Sequence, residues 1–147
     1  MHGNNYLRLL GMTLLSFISM YVFMYAMVNT FANVFSSLNQ FYMAGLMTAP
    51  MVLIELFLMG GMYENKRFNA AIAAVSVLAM VGFFVLIRQQ VAITDRQFLR
   101  SMIPHHAGAI LMCQNAPLQA AELKQLCRSI VTSQEAEIAK MKALLEK

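Results

Sequence analysis

The sequence predicts an all-α protein in which three membrane-spanning helices precede an extramembrane antiparallel helical hairpin. Composition is the first observation behind this. Of 147 residues, 59% are hydrophobic and 12% charged, against roughly a quarter charged in a soluble domain. Charge distribution is the second. Between Leu9 and Tyr63 the only ionisable side chain, tyrosines apart, is Glu55, whereas most Lys, Arg, Asp and Glu lie from Arg88 onward. The third is the uninterrupted run from Leu118 to Lys147, which contains no Gly or Pro. A net charge of +4, dispersed along the chain, gives no basis for a nucleic-acid partner.

The apolar stretches run approximately over residues 7–28, 41–61 and 70–87. Each approaches the ~20 residues needed to cross a bilayer core. The first is too long for the apolar core of a cleaved signal peptide, and no small-x-small cleavage site follows it. The chain thus divides into a three-helix anchor, residues 1–93, and a soluble domain, residues 94–147. Arg8, Lys66 and Arg67 on one side of the membrane balance Arg88, Arg96 and Arg100 on the other. The uncharged segment Asn29–Gln40 tips the choice toward a cytoplasmic N-terminus and a C-terminal domain outside.

In the soluble part, Thr94 with Gln97 makes a capping-box pattern, although nothing from Arg88 to Ile93 forces a break from the preceding helix. Pro117 suits the first turn of a second helix. On that helix Leu123, Cys127, Ile130, Gln134, Ile138, Met141 and Leu145 recur on one face. A turn centred between Ala116 and Pro117 would bring Cys127 level with His106, Ile130 and Val131 level with Met102 and Ile103, and Gln134 near Leu99. Gln134 then needs a polar partner from Asp95, Arg100 or a histidine, because burying an unpaired amide costs about 1–3 kcal/mol. Glu137 is a candidate carboxylate to orient an imidazole. Two helices of this size bury little by themselves, so a homodimer or higher oligomer is expected to complete a bundle.

The chemistry concentrates in Ser101–Cys113. At about 100° per residue, Met102, His106, Ala109 and Cys113 share a stripe, flanked by His105 and Met112, with Asp95 on the same face. Imidazole, thioether and thiol together form a soft donor set that suits Cu(I) or Ag(I). Pro104 leaves the Arg100 carbonyl without its usual donor, which favours a kink beside the histidines. Cys113 and Cys127 are open to three readings: ligands, buried thiols, or a disulfide that this register does not favour.

Met102-Ile-Pro-His-His106, then Ala109-Ile110, Met112, Leu123, Leu126, Ile130, Ser133-Gln134, Glu137-Ile138 and Met141, resembles a widespread bacterial family labelled only as a domain of unknown function. The resemblance covers about Asp95 to Leu145. It implies a ferritin-like helical bundle, a location outside the cytoplasm at a bacterial inner membrane, and a link to copper binding and resistance. It carries Asp95, Met102, His105, His106, Met112 and Met141 over as metal-site positions. Cys113 and Cys127 depart from the family, which has small residues there.

The anchor has a feature of its own: Met43, Met47, Met51, Glu55 and Met59 follow a four-residue step. That ladder is a candidate intramembrane path for a soft cation, since a carboxylate at membrane depth is by default a functional candidate. Ordinary packing by methionine is the other reading. No catalytic set is present: no Glu-x-x-His pair, no Cys-x-x-Cys, no phosphate-binding glycine loop. The sequence therefore points to a non-enzymatic, membrane-anchored Cu(I)/Ag(I)-binding protein. The alternative is a structural accessory subunit of a larger membrane complex.

Overall fold

The computed structural model describes residues 3–147; Met1 and His2, the first two residues of the expected anchor, lie outside the described residues. Among the described residues every regular element is helical: α1 Gly3–Phe23, α2 Leu38–Leu58, α3 Lys66–Arg88, α4 Asp95–Asn115 and α5 Ala121–Leu145. One-turn 3-10 segments occupy Met24–Met27, Phe31–Asn33 and Gly60–Met62. Three stretches, Asn5–Met27, Leu38–Leu58 and Lys66–Arg88, are long and apolar enough to cross a membrane.

The chain forms two compact units. The first joins the residues up to Phe23 with Asn39–Val91. In it α2 is the central helix, burying Tyr42, Ala44, Gly45, Thr48, Ala49 and Val52. Small residues here let neighbours approach closely, as membrane helices require, and a Cβ on Gly45 would run into the Phe83 ring. Polar side chains bond across this unit at its ends. At one end Tyr6 donates to Asn69 Oδ1 at 2.7 Å and Asn5 donates to the Met62 carbonyl at 2.9 Å. At the other, Gln40 donates to the Tyr21 carbonyl at 2.9 Å and Tyr42 to the Val91 carbonyl at 3.1 Å. Hydroxyls deeper in the spans turn back on their own helix, Thr13 to Leu9 and Thr48 to Ala44. This is the pattern hydrocarbon imposes, where every polar group must be satisfied internally and tyrosines collect at the two interfaces.

The second unit joins Met24–Leu38 with Ala92–Lys147. Ile103, Ala107, Ile110, Ile138 and Met141 form its buried core, with Leu99, Met102, Val131 and Leu145 from α4 and α5 packed against it. Val28 and Phe35 join them from the segment between α1 and α2. That segment was expected only as an uncharged connection within residues 1–93; in the structure it is part of the core beside α4. The Leu38 backbone N–H donates to Gln97 Oε1 at 2.9 Å. Thr94 caps α4 by accepting from the Gln97 N–H, as the capping pattern predicts. The Gln97 side chain, which would complete the box, is engaged by Leu38 instead.

A break does separate α3 from α4: Gln90 and Ala92 adopt positive φ of 51° and 58°, a conformation uncommon outside glycine. The α4–α5 connection also departs from expectation. Ala116 is extended, at φ −66° and ψ 133°, as a residue before proline prefers. Pro117 consequently lies in the connection, and α5 begins only at Ala121. This delays α5 and shifts its register against α4.

Ile110 is fully buried and among the largest such side chains. Ile110→Ala is expected to destabilise the second unit by about 2–5 kcal/mol, the usual range for such core truncations. Thermal unfolding of the solubilised protein measures this, and an unchanged midpoint would show that the core is not where the stability lies.

Candidate metal and proton site at the α4–α5 contact

α4 is continuous through Pro104, and its face toward α5 buries Ile103, His106, Ala107 and Ile110. His106 is the one side chain of the expected donor set that is both buried and held by polar partners. Its Nδ1 lies 2.9 Å from the Met102 carbonyl oxygen, and its Nε2 lies 2.6 Å from Glu137 Oε2 on α5. Ser133 Oγ donates to the other oxygen of Glu137 at 2.9 Å. The carboxylate expected from sequence to orient an imidazole therefore reaches His106.

A carbonyl oxygen can only accept, so Nδ1 carries a proton; this assignment follows from the partners. A proton also sits between Nε2 and Glu137, because two lone pairs do not approach to 2.6 Å unaided. The pair is thus a short charge-assisted bond. The Ser133 hydrogen bond, and after it the His106 hydrogen bond, hold the Glu137 carboxyl below its ordinary value of 4.5. Half of the Glu137 side chain remains exposed, 51%, against 10% for His106, so solvent screens the interaction in part.

The other expected donors are placed as follows. His105 is exposed, with its ring centroid 6.2 Å from that of His106. Met102 packs against the core that contains Met141, which is itself buried. Met112 is 52% exposed. Asp95 opens α4, about three turns from His106, and is not part of this cluster. Among the described residues no three His, Cys, Asp or Glu side chains come together to hold a metal ion.

Cys113 and Cys127 are joined as a disulfide, with Cα atoms 5.1 Å apart. The expected register, Cys127 level with His106, is corrected by about two turns of α4, because the extended connection delays α5. In this state neither sulfur offers a thiolate. The same shift leaves Gln134 without the partner expected for it: its Oε1 is buried and has no hydrogen-bond partner among the described residues.

In the first unit, Met43, Met47 and Met59 are exposed on the outer surface, while the buried face of α2 carries the small residues. Glu55 lies within one turn of the end of α2 and accepts a hydrogen bond from the Tyr63 hydroxyl at 3.1 Å.

Among the described residues these features define an all-helical protein with three membrane-length helices and a second unit that pairs a buried histidine with a half-exposed carboxylate. The chain belongs to the family described as Domain of unknown function (DUF305), whose model matches residues 59–145. The match begins before α3, so it takes in a membrane-length helix as well as α4 and α5. An uncharacterized protein of Acanthamoeba polyphaga mimivirus, L153, is 32% identical over 146 residues, covering 97% of this chain and 93% of that one. No solved structure matches.

Because the Glu137 pKa is lowered on folding, its contribution is complete above pH 4.5 and is lost as pH falls through the lowered value. Glu137→Gln should therefore flatten part of the acid-side fall in thermal midpoint. Parallel pH profiles for the two proteins would show that the tie contributes nothing to stability.

Proposed function

We propose that the protein is a membrane-anchored binder of a soft monovalent ion, Cu(I) or Ag(I), acting in sequestration or hand-off outside the cytosol. In this reading α4 and α5 form an antiparallel hairpin, half of a ferritin-like bundle that a second copy completes. Phe98, Leu123, Leu126 and Leu144, all 45–54% exposed, offer the surface for it, and the mass of the solubilised particle reads the assembly directly.

The observation that carries the proposal is the setting of His106. A metal-binding histidine typically fixes one ring nitrogen on a carbonyl or carboxylate, which aims the other at the ion. Met102 fills the first role here, and Nε2 is aimed across the α4–α5 contact. The Met102 and Met141 thioethers belong to the adjoining core, and His105 is next in sequence. A bound ion would take Nε2 in place of the Glu137 contact, displacing the proton between them. Thioethers match Cu(I) and Ag(I) in softness and carry no proton to displace. His105→Ala with His106→Ala is expected to abolish most Cu(I) affinity of the full-length protein, measured against a chromophoric chelator, while Met24→Leu leaves it unchanged. Equal affinity of the double variant and the parent, with helicity retained, would remove the proposal.

The disulfide supports the location, since cystines persist in oxidising compartments and are rare in the cytosol. In this reading three crossings put Met24–Leu38 and Ala92–Lys147 on one side of the membrane, in keeping with their grouping in one compact unit. A bacterial inner membrane is the setting the sequence resemblance implies, with the C-terminal domain periplasmic. A reporter active only in the cytoplasm, fused after Lys147, should be silent; activity there would reverse the orientation.

One observation favours the second reading, a structural accessory subunit: both ring nitrogens of His106 are already engaged, so the pair also serves as a simple tie between α4 and α5.

A further inference from the structure

The buried side chains of α4 end at Ile110, and those of α5 are confined to Ile138 and Met141. Between these limits, from Leu111 to Glu137, no residue is buried. The outer turns of the two helices are joined there, with Val131 packed against the core, by the covalent Cys113–Cys127 bond. A cleft of about 520 Å³ opens beside it, lined by both cysteines together with Lys124, Arg128 and Val131. Two features follow. The cystine is reachable by a small reductant through the cleft that both cysteines line, and neither cysteine belongs to the Ile103–Met141 core.

We propose that this cystine is the closed form of a second soft-metal site, a two-thiolate clamp for Cu(I) or Ag(I) that a thiol reductant opens. Reduction by a dithiol breaks the S–S bond. The two electrons come from the dithiol, which becomes its own disulfide, and its two protons end on the sulfurs of Cys113 and Cys127. Binding then replaces two S–H bonds with two S–metal bonds and releases both protons. The product is a bis-thiolate complex of net charge −1. Lys124 and Arg128, lining the same cleft, offset that charge. The Cα spacing of 5.1 Å keeps both sulfurs on one ion once the outer turns adjust, and the ion takes over the cross-link that reduction removes. Soft thiolates select these ions over hard divalent cations. The site lies about two turns of α4 from His106 and uses none of its partners, so it stands or falls separately from the proposal above.

The test uses the full-length protein in detergent, oxidised or reduced with dithiothreitol that is then removed anaerobically. Cu(I) uptake is read by competition with a chromophoric chelator, together with near-ultraviolet thiolate-to-metal absorbance. Reduction should add one equivalent of Cu(I) per chain and bring up the thiolate band. Cys113→Ser with Cys127→Ser should show neither gain, while His105→Ala with His106→Ala should keep both. Circular dichroism should retain α-helix on reduction. No added uptake on reduction, or the same gain in the double serine variant, overturns the proposal. Loss of the gain in the histidine variant would overturn the claim that the sites are separate.

Discussion

The constraint on which the rest of the structure depends is that hydrocarbon offers no hydrogen bonds. An unpaired backbone N–H or C=O at membrane depth costs several kcal/mol, so the apolar two-thirds of the chain is committed to helices whose polar contacts gather at their ends. Asn5, Tyr6 and Asn69 settle one end of the first unit, and Gln40, Tyr42 and Gln90 the other. Glu55 obeys the same rule, since it sits near the end of α2 where Tyr63 reaches it.

Within the second unit a small core does two tasks. Ile103, Ala107, Ile110, Ile138 and Met141 hold α4 against α5, and this burial is what desolvates His106 from one side. The imidazole then has two acceptors, one on its own helix and one on α5. That geometry ties the two helices together through one side chain of each. Glu137 is half exposed, so solvent screens the tie in part. The segment Met24–Leu38 adds Val28 and Phe35 to this core and spends its last backbone N–H on Gln97, so the first loop supports the site although it carries no charge.

Length and polarity made much of this legible in advance. The three spans, the Thr94 cap and the inward stripe through Ile138 and Met141 follow from local rules that act within one or two turns. Glu137 was legible as a carboxylate to orient an imidazole, though not that the imidazole would be His106, since the expected register set Glu137 near Arg96. The pairing of Cys113 with Cys127 was not, because it depends on where α5 starts. That is set by an extended five-residue connection around Pro117 rather than by helix periodicity. Gln134 follows the same logic: once the register shifts, its expected partners are elsewhere. The contribution of Val28 and Phe35 was hidden as well, and the only signal for it was aromatic and branched apolar residues in a loop without charge.

By itself, then, the sequence determined the helical class and the number of membrane-length helices, and it named candidate residues for the site, since composition and period suffice for each. Only the tertiary structure decided which of those residues meet. It joined the two cysteines, occupied both nitrogens of His106, set Met43, Met47 and Met59 on the outer surface, and recruited the first loop to the second unit. The physical reason is that periodicity fixes a side chain's direction around its own helix axis. Its position along the neighbouring helix is set by connections and loop packing, where a shift of one turn changes every partner.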